Sequence, residues 1–267
     1  MCFTLQCFFF FLIFCRTDNC FCLFALLAVP SLLQHANQGK GGQSLLHRIV
    51  EFALSEDGKC DAMQLLALRA LMHASFHDEP RATLAKVSFA PRAVLRLDRL
   101  LGQREPPTLH AEAWCLCLAN MSFSNDGQLA LLRARPTIQA TDLNPGNFVT
   151  VMVRVVTMLC SRNCVEPVVR ALCAALLVLR NVVFSMVAAP FFAGCGMARV
   201  VAQAVRHPSL QVLHAGAALA WAMGAHHLAL RAELRDEHVL DVARNKLAHE
   251  LSLPVSGGAH LMAGMAR

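Results

Sequence analysis

The chain has 267 residues, 56% of them apolar and only 16% charged, which excludes general disorder and fits one large domain or one short array of repeats. Its net charge of +6 is mild for that length, and arginines are scattered singly along it, which argues against nucleic acid as a partner. The apolar residues are chiefly Leu, Ala and Val, Tyr is absent, and strand-like alternation is nearly so, so the body is predicted to be all-α.

Residues 1–30 differ from everything that follows. They hold five of the twelve cysteines (Cys2, Cys7, Cys15, Cys20 and Cys22) and the run Phe8-Phe9-Phe10-Phe11-Leu12-Ile13-Phe14. Arg16-Thr17-Asp18-Asn19 divides the stretch, no positive residue precedes its apolar core, and neither half reaches the roughly 20 residues that span a bilayer. Three readings stay open: a leader outside the fold, a signal or anchor, or a terminal cap on the domain. A membrane is expected as a partner only if residues 2–29 act as an anchor.

Gln38-Gly39-Lys40-Gly41-Gly42 is a flexible break that opens a helical domain over 43–252. Ser44 is the predicted N-cap of a helix through Leu54, ended by Ser55-Glu56-Asp57-Gly58. Asp61 caps a longer helix from Ala62 to Phe76, with Leu65, Leu66, Leu68 and Leu71 among its apolar positions. A short helix at Glu79–Val87, a medium one at Pro91–Leu101 and a turn at Gly102–Pro107 follow. A long helix at Thr108–Ser122, a short one at Asn125–Arg133 and a breaker-rich loop at 135–147 come next. Then come a medium helix at Phe148–Cys160 and a long one at Glu166–Phe184, with Pro167 in its first turn. Ala198–Val205 and Ser209–Ala225 repeat the medium-then-long order around His207-Pro208. A single tail helix is predicted over Leu228–Leu251, and residues 253–267 read as a frayed end.

Three of the long helices end alike: Leu71-Met72-His73-Ala74-Ser75-Phe76, Leu118-Ala119-Asn120-Met121-Ser122-Phe123 and Leu179-Arg180-Asn181-Val182-Val183-Phe184. A degenerate fourth copy runs through Leu219-Ala220-Trp221-Ala222-Met223. Phe76 and Phe123 lie 47 residues apart (123 − 76). Phe123 and Phe184 lie 61 apart (184 − 123), which becomes roughly 48 without a loop of about 13 residues, close to the period of armadillo and HEAT units. The motif and the short–medium–long helix order resemble the armadillo-repeat family. That resemblance implies a right-handed α-solenoid of about four units and a role in binding other proteins.

In the nuclear-import adaptors of that family, an Asn at this place lines a concave groove and hydrogen-bonds an extended peptide, and a Trp four residues earlier pockets basic side chains. Asn120 and Asn181 match the Asn, Leu116 and Leu177 stand at the Trp place, and His73, with Arg69 four residues before it, replaces Asn in the first copy. The resemblance therefore implies an incomplete peptide ladder, with Asn120, Asn181, Arg180 and Arg69 as the candidate protein-binding residues. A narrower likeness covers residues 165–250. The sequence from Leu179 to Ser185, then Ala217 to Ala222, then the charged stretch Arg231 to Glu250, is similar to the end of the rotatin family, large armadillo-like proteins of centrioles and ciliary basal bodies. It implies a scaffold or assembly role there, in the cytoplasm at the centrosome or basal body.

Candidate chemistry is sparse. His73 and His77 have the i, i+4 spacing of zinc ligands, but His77 is expected beyond the helix end and no Glu lies between them in a metalloprotease pattern. Cys115 and Cys117 point about 200° apart on a helix, and Ser161-Arg162-Asn163 separates Cys160 from Cys164. His226-His227 reads as a pair of surface or helix-end residues. Gly194-Cys195-Gly196 and Gly39-Lys40-Gly41-Gly42 lack the strand and the Lys-Ser or Lys-Thr end of a phosphate loop. The cysteines after residue 30 are odd in number and mostly inside apolar helical stretches, which favours a reducing compartment. The sequence thus points to a non-catalytic protein without cofactor or metal. A membrane-anchored adaptor and, behind it, a helical metal enzyme are the competing classes.

Overall fold

The computed structural model describes residues 45–55, 61–101, 103, 107–134, 148–185, 187–192 and 194–252. The leader, the Gln38–Gly42 break, the Ser44 cap, the loop at 135–147 and the end at 253–267 lie outside the described residues. Among those described, 83% are helical and none is in a strand. The thirteen helices are α1 (Leu45–Leu54), α2 (Asp61–Ala74), α3 (Asp78–Lys86), α4 (Phe89–Leu101), α5 (Thr108–Met121), α6 (Asn125–Arg133), α7 (Phe148–Cys160), α8 (Glu166–Val183), α9 (Ala189–Phe192), α10 (Met197–Arg206), α11 (Leu210–His226), α12 (Leu228–Asp236) and α13 (Val239–Ser252).

Local chemistry explains where these helices begin and end. Ser124 takes the extended conformation of an N-cap, and its Oγ accepts the Gly127 amide at 3.1 Å. Gly127 is required there, because a Cβ would lie 1.9 Å from the Met121 carbonyl oxygen. Pro167 sits in the first turn of α8, where its missing N–H costs nothing. Gly194 and Gly196 adopt φ of +69° and +79° and turn the chain into α10.

Helices pack in two successions. The long helices α2, α5, α8 and α11 each lie against the next, as do α1, α4, α7, α10 and α13. The two rows join in chain order, α1 on α2, α4 on α5, α7 on α8 and α10 on α11, while α3 packs against α6. A helix held on several sides should be apolar nearly all round. In α8, Val168, Leu172, Leu176, Leu179 and Val183 are buried together with Val169, Cys173 and Val182. Trp114 of α5 is 1% exposed and lies against Phe89 of α4, with ring centroids 5.8 Å apart. Gly216 brings α11 onto α10, where a Cβ would meet the Ala204 Cβ at 2.9 Å.

Neighbouring helices of one row are also linked by charge. Arg92 donates to Glu51 at 2.8 Å and Arg170 to Glu112 at 2.7 Å, and Arg154 pairs with Asp98; outside the rows, Arg199 of α10 lies 4.0 Å from Glu237 at the end of α12. Half-exposed pairs of this kind contribute about 0–1 kcal/mol each, so they set register more than stability.

Two features depart from the sequence reading. The tail predicted as one helix is two, because His238 takes a left-handed φ of 52° and separates α12 from α13. Ser88 does the same at 54° between α3 and α4, so a short and a medium helix meet through one left-handed residue near each end of the described chain. The joint at Ser88 lies where the sequence reading already divides two helices; the one at His238 contains neither Gly nor Pro, which is why that break is silent in the sequence. The one-turn helix α9 also stands where only a connection was predicted.

Candidate functional site

The recurring motif closes α2, α5 and α8, and the structure shows what it does there. In the first two copies the serine folds back on its own helix: Ser75 Oγ donates to Met72 O at 2.8 Å, and Ser122 Oγ to Ala119 O at 2.6 Å. The asparagine of the following copy then reaches back to that serine. Asn120 Nδ2 donates to Met72 O at 2.8 Å and to Ser75 Oγ at 3.1 Å, and Asn181 Nδ2 donates to Ser122 Oγ at 2.9 Å. Asn181 is buried and Asn120 half-buried. Both amides are therefore committed between neighbouring long helices, and a buried amide without such partners would cost about 1–3 kcal/mol.

The residue types follow this register. Serine stands at the fifth motif position in copies one and two, and asparagine at the third position in copies two and three. Copy three has Val183 in place of serine, and copy four has Trp221 in place of asparagine. That one-copy offset is the signal in the sequence that marks the asparagines as inter-helix clasps. The third junction uses another device. His227, beyond the end of α11, donates from Nε2 to Val183 O at 2.8 Å and sets its ring edge-on to Phe192 at 5.6 Å. The sequence reads His226-His227 as surface or helix-end residues; the carbonyl at the close of α8, which needs a donor, is what gives His227 its place.

The other two candidates lie differently. Arg69 is exposed on α2. Arg180 is half-buried on α8, and its Nη2 donates to Asn181 Oδ1 at 3.4 Å. Arg69, His73 and His77 are close enough to act on one another. Burial first, then the Arg69 and His77 charges, push the His73 pKa below its usual value, so the imidazole at the end of α2 stays neutral near neutral pH. His77 lies beyond α2 as the extended N-cap of α3, so the two imidazoles do not share one helix. Arg81, from α3, donates to Asn120 O at 3.4 Å and pairs with Asp78.

The thiols are unreactive where they are buried. Desolvation raises Cys115 and Cys173 to about 12 and Cys160 to about 11, and it pushes Cys117 up further. Their thiolates are scarce at neutral pH, so nucleophilic or metal chemistry at them is suppressed. Cys117 Sγ instead points at Leu68 O, 3.7 Å away. Among the described residues, no three or more His, Cys, Asp and Glu side chains gather as metal ligands, and no helix is long and apolar enough to cross a membrane.

The described surface carries several large apolar side chains on the long helices and at their ends. Leu66 is 53% exposed, Phe76 44%, Leu109 39%, Phe123 37% and Trp221 66%, while Leu228 of α12 and Leu240 of α13 are exposed further still. No protein-family profile matches the sequence, and a search of curated proteins returns no match.

Proposed function

We propose that residues 43–252 form a right-handed armadillo-like α-solenoid of about four units, and that the chain is a non-catalytic scaffold whose long-helix face binds another protein. The observation that carries this reading is the clasp between motif copies. Asn120 holds Ser75 across 45 residues and Asn181 holds Ser122 across 59, so equivalent positions of successive copies lie side by side. Regular stacking of one supersecondary unit is what a repeat architecture requires. With the two asparagines spent inside the stack, the groups free to meet a partner on this face are Leu66 and Arg69 of α2, Leu109 of α5, and Trp221 of α11, with Arg180 of α8 half-exposed beside them. Arg and Trp are the side chains most enriched at protein interfaces.

The likeness of residues 165–250 to the rotatin family supports centriole or basal-body assembly as the setting. Proximity labelling in a ciliated cell tests both parts of the proposal. The wild-type chain is expected to label centriolar or basal-body proteins, and Arg69→Glu combined with Trp221→Ser is expected to lose that labelling without a fall in melting temperature. Labelling that never includes such proteins overturns the setting. Labelling that the folded variant keeps overturns the face.

A further inference from the structure

The four motif ends form one edge, and its composition changes in order along it. The first end carries Phe76, followed by Asp78 and Glu79 in the first turn of α3. The second carries Phe123, followed by Asp126 in the first turn of α6. The third carries Phe184, with Arg180 one turn earlier on α8. At the fourth, Trp221 lies 6.5 Å from Phe184 and His226 4.7 Å from it, and the first turn of α12 holds Arg231 and no acid. Arg231 is exposed and folds back so that its Nε donates to Gly224 O at 2.7 Å, which keeps its charge at this end. Helix N-termini ordinarily favour acids, so the change from Asp78, Glu79 and Asp126 to Arg231 is not what helix capping alone selects.

The edge is thus aromatic throughout: Asp78 is paired with Arg81, which leaves Glu79 and Asp126 as the acids of its first two positions, and Arg180 and Arg231 are the bases of its last two. Such a strip is complementary to itself when turned end for end. A two-fold axis between the second and third positions would bring position one onto four and two onto three. Phe76 would then meet Trp221 and Phe123 would meet Phe184, while Glu79 faces Arg231 and Asp126 faces Arg180. We propose that this edge is an isologous interface through which two copies of the chain associate antiparallel. The partner is fixed by charge order: a second copy presents both signs in the needed sequence, whereas a uniformly acidic or basic partner would be repelled by one half. This interface shares Trp221 and Arg180 with the long-helix face proposed to bind another protein, so it is tested at Glu79 and Arg231, which that face does not use.

Sedimentation velocity of the full chain over a range of concentration and salt tests the proposal. A reversible dimer, weakened by salt, is expected. Glu79→Arg and Arg231→Glu should each weaken it by about tenfold or more, and the two together should restore it, because the swapped pair again has opposite signs. Both positions are exposed on short helices, and circular dichroism should show each variant folded. Restoration cannot arise from loss of fold, nor from adhesion through residues 1–30, which carry neither substitution. A chain that stays monomeric, or a dimer indifferent to the single reversals, or a double variant no better than the singles, overturns the interface. Glu79→Arg and Arg231→Glu leave Arg69 and Trp221 in place, so the protein-binding face is still read separately, by labelling of other proteins.

Discussion

Removing the Asn181 clasp tests whether the motif holds neighbouring helices together. In Asn181→Ala the 2.9 Å bond to Ser122 Oγ is lost, while the Ser122 hydroxyl keeps its own acceptor, Ala119 O at 2.6 Å. No buried donor is stranded on the serine, and the bond also lost from Arg180 Nη2 to Asn181 Oδ1 is long, at 3.4 Å, so the main cost is the Ser122 hydrogen bond, about 1 kcal/mol, plus the packing of a side chain that is 4% exposed. Together these amount to about 1–2 kcal/mol, or about 2–4 °C in melting temperature per kcal/mol for a domain of this size. Ser122→Ala deletes a single oxygen but leaves the Asn181 amide buried without that acceptor, which costs about 1–3 kcal/mol. The smaller excision should therefore destabilise at least as much as the larger one. In the double variant the costs should fall short of additive by about 1 kcal/mol, as for residues in direct contact. Urea denaturation of the four proteins measures this cycle. Additive costs, or an Asn181→Ala protein as stable as the wild type, would refute the clasp and return the amide to a role at the surface.

Three further outcomes follow from the packing and the ionisable groups. Gly216→Ala should destabilise by about 1–3 kcal/mol despite its better helix propensity, since the new Cβ meets Ala204 at 2.9 Å; thermal unfolding reads it, and a stabilised variant would show that α10 and α11 part freely. Brief alkylation of the native protein followed by peptide mapping should label exposed Cys164 well before Cys115, Cys117 and Cys173, and equal rates would contradict their burial. His207 is buried, with Nδ1 accepting the Ser209 amide at 3.1 Å and Lys246 donating to its carbonyl oxygen. Burial and then the Lys246 charge lower its pKa in the folded state. The unfolded chain then binds the proton first, so stability is full above the ordinary value of 6.5 and falls as pH drops below it. His207→Asn keeps an acceptor and should flatten that slope in urea midpoints taken at successive pH values; an unchanged slope would exclude His207 as a source.

Much of the fold was legible before any coordinates. Leu, Ala and Val at helical spacing, Pro167 in a first turn and Asn125 after Ser124 mark helices whose ends the structure places within a few residues. The break at His238 was not legible, because a left-handed residue with a side chain carries no compositional mark, whereas the one at Ser88 falls between two helices read from the sequence, the second marked by Pro91 in its first turn. The candidate residues divide in the same way. Arg69 could be read as exposed because a guanidinium without a nearby acid on an otherwise apolar stretch of α2 keeps its charge in water. The orientation of Asn120 and Asn181 could not be read from the helix on which they lie. It depends on a serine contributed from more than forty residues away, and a family likeness that aims the amide outward says nothing of that serine.

The clasps and the His227 bridge each fasten one long helix to the next and reach no further. Damage to one such fastening is therefore felt by the pair it joins, and the rest of the row keeps its own. Opening begins most cheaply at α2 or α11, which have a neighbour on one side only within that row, and the middle pair, α5 with α8, is the last to come apart.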